Sequence, residues 1–317
     1  MVILITGATG LIASRLAGYL HLKGYKLRLG SRSGSVPYEL SNTEVVVTDW
    51  LDDKTLLSAC NGVDVVIHAA GMNASDSAHN PLDAIIVNGV GTARLALAAV
   101  KSKVSKIIYL STAHIYSDPL SGRISEECFA DNIHPYASSH LAGEFAVRQV
   151  ARNSEIQVLA LRLSNAFGAP LSQHSNCWML LVNDLCKQIA VTKKIKLNTA
   201  GMQWRDFIPI SNLCNIFEKL IESKFDFNNF GVINVGGRAM QVIEMAELIQ
   251  LRAEIYFKEK IIIERPEKIQ NTQVKKLEYS SDRLIKLIGP LQLDFKGEID
   301  TLLEFCNINY SPIMKKI

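Results

Sequence analysis

The sequence lacks the features that mark membrane and secreted proteins. No uninterrupted apolar run approaches the roughly 20 residues of a membrane span. The N-terminus is apolar, but it has no basic leader and is broken by glycines, so a signal peptide is not expected. The six cysteines have no close partner in sequence, and they predict reduced, mostly buried thiols rather than a disulfide framework or a zinc site. We therefore expect a cytoplasmic protein.

An excess of charge of one sign is also missing. Lysine and arginine total 34, aspartate and glutamate total 31, and the net charge is +3. Because the two signs are interspersed and no basic stripe stands out, neither nucleic acid nor an anionic membrane is expected as the main partner. The 317 residues suffice for one large domain or two closely packed ones.

Residues 2–13 (VILITGATGLIA) combine three structural signals. The first four are apolar and predict a buried strand, a glycine turn follows, and apolar spacing from Ile12 onward predicts a helix. Glycines let the backbone approach a pyrophosphate, and the N-terminus of a helix offers it unpaired N–H groups. The stretch therefore predicts a dinucleotide site, with the candidate binding residues Gly7, Thr9, Gly10, Leu11 and Ile12.

The end of the second predicted strand, residues 26–30, bears on which dinucleotide is bound. NAD-binding folds usually have an acidic residue here, which accepts a hydrogen bond from the ribose 2′-hydroxyl. This chain has Ser31, Arg32 and Ser33 instead, and these side chains are suited to a 2′-phosphate. We expect NADP, with NAD as the alternative cofactor; the competing interpretation is that Arg32 is a solvated surface cation.

Further strands and helices alternate along the chain. Strands are predicted at residues 44–48, 63–68, 106–111, 158–163, 194–198 and 231–235. Helices are predicted from an Asp52 or Asp53 cap to Cys60, from Pro81 to Val100 with the apolar stripe Ala93, Ala96, Leu97 and Val100, from near Tyr136, over residues 178–189, from a Ser211 cap to Ser223, and around Val242, Met245, Ala246 and Ile249. This rhythm predicts an α/β protein with a doubly wound, mainly parallel sheet. Ligands bind such sheets beyond the carboxyl ends of the strands, where Asp49, Trp50, Ala69, Ala70 and Gly71 are further candidates.

The same pattern predicts the domain organisation. Residues 1–165 are expected to form a dinucleotide-binding domain of the Rossmann type, to which residues 206–236 return. Residues 166–205 and 237–317 are expected to form a smaller C-terminal substrate-binding domain that closes on the substrate.

Seven short motifs occur in one order along nearly the whole chain. They are residues 6–13 (TGATGLIA), 68–71 (HAAG), 87–92 (VNGVGT), 110–116 (LSTAHIY), 135–140 (PYASSH), 162–168 (RLSNAFG) and 205–208 (RDFI). In these motifs the chain resembles the extended short-chain dehydrogenase/reductase family, which includes NAD(P)-dependent nucleotide-sugar epimerases, dehydratases and reductases. The glycine turn departs from the usual pattern at Ala13, where alanine is tolerated in place of the third glycine.

The resemblance implies catalytic roles for Thr112, Tyr136 and His140. In the family, a serine or threonine at the position of Thr112 polarises the substrate oxygen, and a tyrosine at the position of Tyr136 gives or takes the proton as hydride moves to or from nicotinamide. Thr112 has an alternative as an ordinary buried threonine that satisfies its own backbone. A phenol with its ordinary pKa of about 10 is a poor base at neutral pH, and the family corrects this with a lysine four residues further on.

This chain has His140 at the position of that lysine. Imidazole is shorter than a lysine side chain and mostly neutral at pH 7. Three outcomes follow. In the first, His140 is protonated and replaces the lysine, with a stronger dependence on pH. In the second, His140 donates one N–H to the ribose while Tyr136 remains a phenol, which suits a reductase; in the third, the site is weakened and only binds its ligands. A solvated helical histidine is the least favoured interpretation.

Other departures narrow the reaction. Sugar 4,6-dehydratases of the family have Asp-Glu directly after the threonine, whereas this chain has Ala113 and His114, so we expect no dehydration. His114 is a candidate second acid/base or a residue that only lines the substrate pocket. By the same resemblance, Arg205 contacts the diphosphate of a nucleotide sugar, Asn165 contacts substrate, and Asn88 supports the cofactor site. Their alternatives are an Arg205–Asp206 ion pair and local capping by the two asparagines.

The sequence therefore predicts an NAD(P)-dependent oxidoreductase or epimerase that acts on a nucleotide-activated sugar. Reduction of a 4-keto group is favoured and epimerisation comes next. The alternative is a catalytically weakened relative that binds the dinucleotide as a sensor or as a subunit of a complex. The resemblance also suggests a homodimer that pairs through a four-helix interface.

Overall fold

A seven-stranded parallel sheet forms the centre of the protein. The computed structural model describes residues 1–224, 229–267 and 274–312. In chain order, the strands among these residues are β1 (Val2–Thr6), β2 (Lys26–Ser31), β3 (Glu44–Val47), β4 (Val65–His68), β5 (Lys106–Thr112), β6 (Gly122–Ile124), β7 (Gln157–Leu163), β8 (Asn165–Phe167), β9 (Lys194–Lys196), β10 (Trp204–Pro209), β11 (Phe230–Val235), β12 (Arg238–Gln241), β13 (Ile262–Glu264) and β14 (Leu277–Tyr279). The central sheet has the order β11-β7-β5-β4-β1-β2-β3, and all its neighbours pair in parallel. The predicted doubly wound α/β fold is confirmed.

Helices cover both faces of this sheet. In chain order they are α1 (Leu11–Leu22), α2 (Asp53–Cys60), α3 (Ala74–His79), α4 (Pro81–Ala84), α5 (Thr92–Lys101), α6 (Pro135–Arg152), α7 (Leu181–Thr192), α8 (Ile210–Glu222), α9 (Val242–Phe257), α10 (Asp282–Ile288) and α11 (Phe295–Tyr310). Leu16 of α1 and Phe217 of α8 pack on one face, and Leu56 of α2 and Val147 of α6 pack on the other. The capping prediction for α2 is correct, because Asp52 Oδ1 accepts a hydrogen bond from the Lys54 N–H at 2.9 Å.

A third apolar cluster lies in the C-terminal half, between α7, α9 and α11. The predicted stripe of α9 is correct, since Val242, Met245, Ala246 and Ile249 are all buried there. Within residues 206–236, β11 joins the central sheet and α8 packs on α1, whereas β10 pairs with β8 and β12 in a separate three-stranded sheet. The division of the chain into two domains stays a prediction.

The helical stretch Pro81–Lys101 differs from its predicted orientation. Of the predicted stripe, Ala96 is buried, Ala93 and Val100 are half-buried, and Leu97 is 50% exposed, while Leu95 and Ala99 are buried outside the stripe. Residues 95–100 are all apolar, so periodicity cannot fix which face is buried. The stretch also passes through a π-helical segment, Ile85–Gly91, whose wider turns shift the phase of the residues that follow.

By length and composition alone, this same stretch is apolar enough to cross a membrane, with a mean hydropathy of 1.4 over its best window. Half of that window is buried inside the protein, where α5 packs against α2 and α6. Such burial is equally typical of a core helix in a folded domain, so the stretch is weak support for a membrane span.

The predicted Ser211 cap of α8 is wrong. The helix begins at Ile210 without a side-chain cap, and the Ser211 hydroxyl has no partner among the described residues. Instead, the Ser211 N–H donates to Glu298 Oε2 of α11 at 2.9 Å. Glu298 is buried, and its Oε1 also pairs with Arg15 of α1 at 3.1 Å. Glu298, 87 positions away in the sequence, thus accepts a hydrogen bond from a backbone amide in the first turn of α8.

Candidate functional site

The glycine turn after β1 brings two strand ends into close contact. Gly7 has a φ of +74°, and a Cβ at this position would lie 2.8 Å from the Ala70 Cα. Gly10 precedes α1, and no side chain caps the first turn of this helix. Among the described residues, the amide groups at the start of α1 have no side-chain acceptor and therefore fit a diphosphate; the cofactor roles of Gly10, Leu11 and Ile12 stay predictions. Thr9 lies exposed in the same turn.

The loop after β4 forms the neighbouring wall, as the small residues at 69–71 predict. A Cβ on Gly71 would lie 3.1 Å from Asn88 Oδ1 and 3.5 Å from His140 Cε1. Asn88 is buried, accepts the Met72 N–H at 2.8 Å and donates to Ser139 Oγ at 2.9 Å. Asn88 therefore holds this loop against α6, which is consistent with its predicted supporting role.

The predicted adenosine end has no carboxylate after β2. Ser31 is buried with its hydroxyl 3.3 Å from that of Ser33, and Arg32 is exposed. Asp49 is exposed after β3, and its Oδ1 accepts the Leu51 N–H at 2.9 Å. Trp50, a predicted cofactor residue, is 6% exposed and directs its ring into the core, 5.4 Å from the ring of His68.

A cavity of about 450 Å³ brings the predicted reactive residues together at the carboxyl edge of the sheet. Thr112, His114, Tyr136 and His140 line it, together with residues of the glycine turn. Thr112 lies at the end of β5 and Tyr136 stands in the first turn of α6, and both side chains line the cavity. One turn further along α6, the His140 ring lies 4.6 Å from the Tyr136 ring, centroid to centroid.

Burial controls the protonation of this cluster. Desolvation raises the pKa of Tyr136 above its ordinary value, and the hydrogen bond from Thr112 opposes this effect. Desolvation also lowers the pKa of His140 to about 4. At neutral pH the pair is therefore a phenol and a neutral imidazole, which disfavours a protonated His140 as the substitute for lysine. His140 is 6% exposed, so it is not a solvated surface histidine.

Sequence reasoning missed Tyr109, a partner of His140. Tyr109 is buried in β5, and its hydroxyl lies 3.1 Å from His140 Nδ1. It shares one face of β5 with Ser111, because side chains two residues apart on a strand point the same way. Two polar side chains, Tyr109 and Ser111, on the same face of β5 were the signal available in the sequence.

Sequence reasoning also missed a buried ion pair beneath the cavity. Glu144 of α6 accepts from Arg162 of β7 through both carboxylate oxygens, at 3.0 and 2.8 Å. The Ser111 hydroxyl donates to Glu144 Oε1 at 2.5 Å. Glu144 lies one turn beyond His140, so the ion pair fixes the helix of Tyr136 and His140 to β7, and the Ser111 hydrogen bond fixes it to the strand that ends in Thr112.

The predicted substrate residues line the other side of the cavity. Arg205 is exposed there and forms no ion pair with Asp206. The two point to opposite faces of β10, and the buried Asp206 accepts the Gly237 N–H at 2.8 Å. Asn165 donates to the backbone oxygen of Asp206 at 2.8 Å, which joins β8 to β10. Burial is the main cause that lowers the pKa of His114, whose ring lies 6.5 Å from that of Tyr136.

Comparison with known proteins agrees with this architecture. The model of the NAD dependent epimerase/dehydratase family matches residues 3–236. UDP-glucose 4-epimerase of Mycoplasma genitalium is 28% identical over 276 residues, covering 77% of this chain and 80% of that protein. Human dTDP-D-glucose 4,6-dehydratase is 25% identical over 270 residues, covering 80% of this chain and 74% of that protein.

Solved structures show the same fold. UDP-glucose 4-epimerase from Bifidobacterium longum, in complex with NAD+ and UDP, superimposes with a TM-score of 0.80 at 22% identity, over 98% of this chain and 99% of that one. MoeE5, in complex with UDP-glucose and NAD, superimposes with a TM-score of 0.77 at 20% identity, over 96% of this chain and 98% of that one.

Proposed function

Because the chain belongs to the NAD dependent epimerase/dehydratase family, we propose that it is a dinucleotide-dependent oxidoreductase or epimerase acting on a nucleotide-activated sugar. The observation that carries the proposal is the single cavity in which Thr112 and Tyr136 meet beside the glycine turn. The relatives support the substrate class, since they are enzymes of UDP- and dTDP-sugars.

The residues around the cavity fit a dinucleotide, and each has a definite task. A bound nicotinamide dinucleotide would supply the hydride chemistry. The free amides at the start of α1 bind its diphosphate, and the small residues at 69–71 leave room for the nicotinamide half. Thr112 orients the substrate oxygen, Tyr136 holds the proton to be transferred, and Arg205 binds the substrate diphosphate through its guanidinium fork.

We favour reduction of a 4-keto sugar as the reaction. Burial keeps the proton on Tyr136, and His140 brings no positive charge that would remove it. A protonated phenol suits donation to a developing alkoxide, whereas the first step of epimerisation from a sugar alcohol needs the phenolate. Epimerisation is the second candidate, and the similarity to UDP-glucose 4-epimerases favours it. Elimination of water is not proposed, because Ala113 and His114 provide no carboxylate.

The direct test incubates the purified protein with NADPH or NADH and a UDP- or dTDP-4-keto-6-deoxyhexose, and follows oxidation of the reduced cofactor. In parallel, the protein is incubated with UDP-glucose and UDP-galactose, and the products are resolved by proton NMR. We expect turnover with the keto sugar. Interconversion of the two UDP-hexoses alone would instead favour epimerisation. Dinucleotide binding without conversion of any sugar nucleotide would favour the alternative of a binding protein.

We propose NADP as the dinucleotide that binds more tightly. Support comes from Ser31, Ser33 and the exposed Arg32 at the end of β2, where no carboxylate repels a 2′-phosphate. Titration calorimetry with both dinucleotides tests this, and Arg32→Ala should remove the preference for NADP. Equal affinities in the wild type would leave Arg32 as a surface cation.

We also propose that two copies pair through α5 and α6, which pack on one another. These helices expose Leu97 (50%) and Phe145 (59%), and large exposed apolar side chains are typical of interaction surfaces. Light scattering on Phe145→Glu should show a monomer. Leu22→Glu is the matched control, because Leu22 is 88% exposed on α1, outside α5 and α6, and this variant should remain a dimer.

A further inference from the structure

A buried series of side chains links the glycine turn to His140. Thr6 Oγ1 lies 2.8 Å from His68 Nδ1, and His68 Nε2 lies 2.9 Å from Thr92 Oγ1. The Tyr109 ring lies 5.6 Å from the His68 ring, centroid to centroid, and the Tyr109 hydroxyl reaches His140 Nδ1 at 3.1 Å. All five side chains are less than 7% exposed.

One backbone carbonyl fixes the direction of the hydrogen bonds between Thr6, His68 and Thr92. The Thr92 hydroxyl lies 2.6 Å from the Asn88 backbone oxygen, which can only accept. The Thr92 proton is therefore committed, so His68 Nε2 must donate to Thr92 Oγ1. His68 Nδ1 is then left to accept the proton of Thr6, and His68 is neutral with its proton on Nε2.

The remaining hydroxyl proton is that of Tyr109, and its two hydrogen-bond partners among the described residues both belong to His140. The His140 backbone oxygen lies further away, at 3.3 Å, and as a helical carbonyl it has the N–H of Glu144 as its partner. His140 Nδ1 is nearer and has no other partner among the described residues. A phenol is also a stronger acid than a neutral imidazole N–H, so the phenol is the better donor in this pair.

We propose that Tyr109 is a positioning residue that fixes His140 as the tautomer with its proton on Nε2. That edge of the ring faces Gly71 and the cavity, since a Cβ on Gly71 would lie 3.7 Å from His140 Nε2. His140 thus presents a neutral donor to the cofactor side and no lone pair that could act as a base. This role rests on the proposed function, in which that donor binds the ribose of the dinucleotide while Tyr136 keeps its proton.

The first test is a nitrogen NMR spectrum of the full-length protein with isotopically labelled histidine, recorded at neutral pH. The His140 signals are assigned by their loss in His140→Asn. The expected spectrum has a protonated Nε2 and a bare Nδ1. A proton on Nδ1, or on both nitrogens, would overturn the proposal. This measurement needs neither turnover nor a variant of Tyr109.

The second test follows the pKa of His140 in Tyr109→Phe. Donation to Nδ1 stabilises only the neutral ring, so its removal should raise this pKa by up to about one unit, or tenfold in proton affinity. The opposite arrangement, with Nδ1 donating to Tyr109, predicts a fall, and a fall or no change would contradict the proposal. The ionisable groups nearest the ring are Tyr136 and Glu144 on α6, Tyr109 on β5 and His68 on β4, and Glu144 is paired with Arg162.

Tyr116→Phe is the matched control. Tyr116 is a buried phenol that hydrogen-bonds to Asn234 and Arg162 and not to His140. Removing the Tyr116 hydroxyl should leave the His140 signals unchanged. An equal shift of the His140 pKa in Tyr116→Phe and Tyr109→Phe would mean that any lost buried hydroxyl perturbs the ring, and this result would refute the role of Tyr109. Failure of the proposed function is a separate result, since a protein that converts no sugar nucleotide can still show the Nε2 tautomer.

Discussion

Replacing Glu144 with glutamine tests whether burial decides the strength of an ion pair in this protein. The Glu144–Arg162 pair has an N–O distance of 2.8 Å, and its side chains are 5% and 10% exposed. On the rim of the sheet, Glu44 and Arg28 pair at the same 2.8 Å, but the Glu44 side chain is 47% exposed. The two pairs share residue types and shortest distance; they differ in the exposure of the carboxylate and in its hydrogen bonds, since Glu144 accepts from Arg162 through both oxygens and Glu44 accepts one bond from Arg28.

The expected magnitudes follow from that difference. Glu144→Gln leaves the Arg162 guanidinium buried without a counter-charge, which costs about 3–5 kcal/mol of the free energy of unfolding. Glu44→Gln removes an exposed pair and should cost less than about 1 kcal/mol. Since a natural domain has about 5–15 kcal/mol in total, the first variant should come close to unfolding and the second should be nearly unaffected.

Urea denaturation followed by circular dichroism provides the comparison. We expect a much lower midpoint for Glu144→Gln and a midpoint close to wild type for Glu44→Gln, at unchanged slope. Equal losses in the two variants would refute the reasoning, because burial would then have no influence on the pair. A loss confined to Glu144→Gln would show that the buried pair stabilises the fold and the exposed pair does not.

Three further outcomes are expected. Tyr136→Phe should abolish turnover while leaving the dinucleotide affinity by calorimetry nearly unchanged, and unaltered turnover would remove Tyr136 from its role. His140→Lys should extend activity toward neutral and alkaline pH, because a nearby ammonium lowers the pKa of the phenol; an unchanged pH–rate profile would mean that His140 does not tune the site. Burial lowers the pKa of His68 to about 3, so the unfolded chain binds more protons below the ordinary value of 6.5. Stability should therefore fall as the pH drops from about 6.5 toward 4, and His68→Gln should flatten this fall in urea midpoints measured at pH 7 and 5.

The sequence was sufficient to predict the central sheet and the residues that lie near the glycine turn. The carboxyl ends of parallel strands meet at one edge, so Gly7, Ala69 and Thr112 could be placed together from their positions in the chain, whereas Tyr136 was added by the family resemblance. The capping of α2 by Asp52 was equally accessible, because the cap lies two residues from the amide that it binds.

Contacts between residues far apart in the sequence could not be predicted in the same way. Nothing near Ser211 in sequence indicates that Glu298 replaces its hydroxyl at the start of α8. The exposed position of Leu97 depends on the π-helical segment that precedes it and on an apolar run without a clear phase. The contact of Tyr109 with His140 joins a strand to a helix 31 residues later, and no local pattern encodes it.

The carboxylate of Glu298 has a mechanical consequence. It accepts hydrogen bonds from Arg15 on the helix beside the glycine turn, from the Ser211 amide and from the Ala169 amide. Separating α11 from α1 would leave a buried charge unpaired, which costs about 3–5 kcal/mol of free energy. We therefore expect α1 and α11 to move together as one unit.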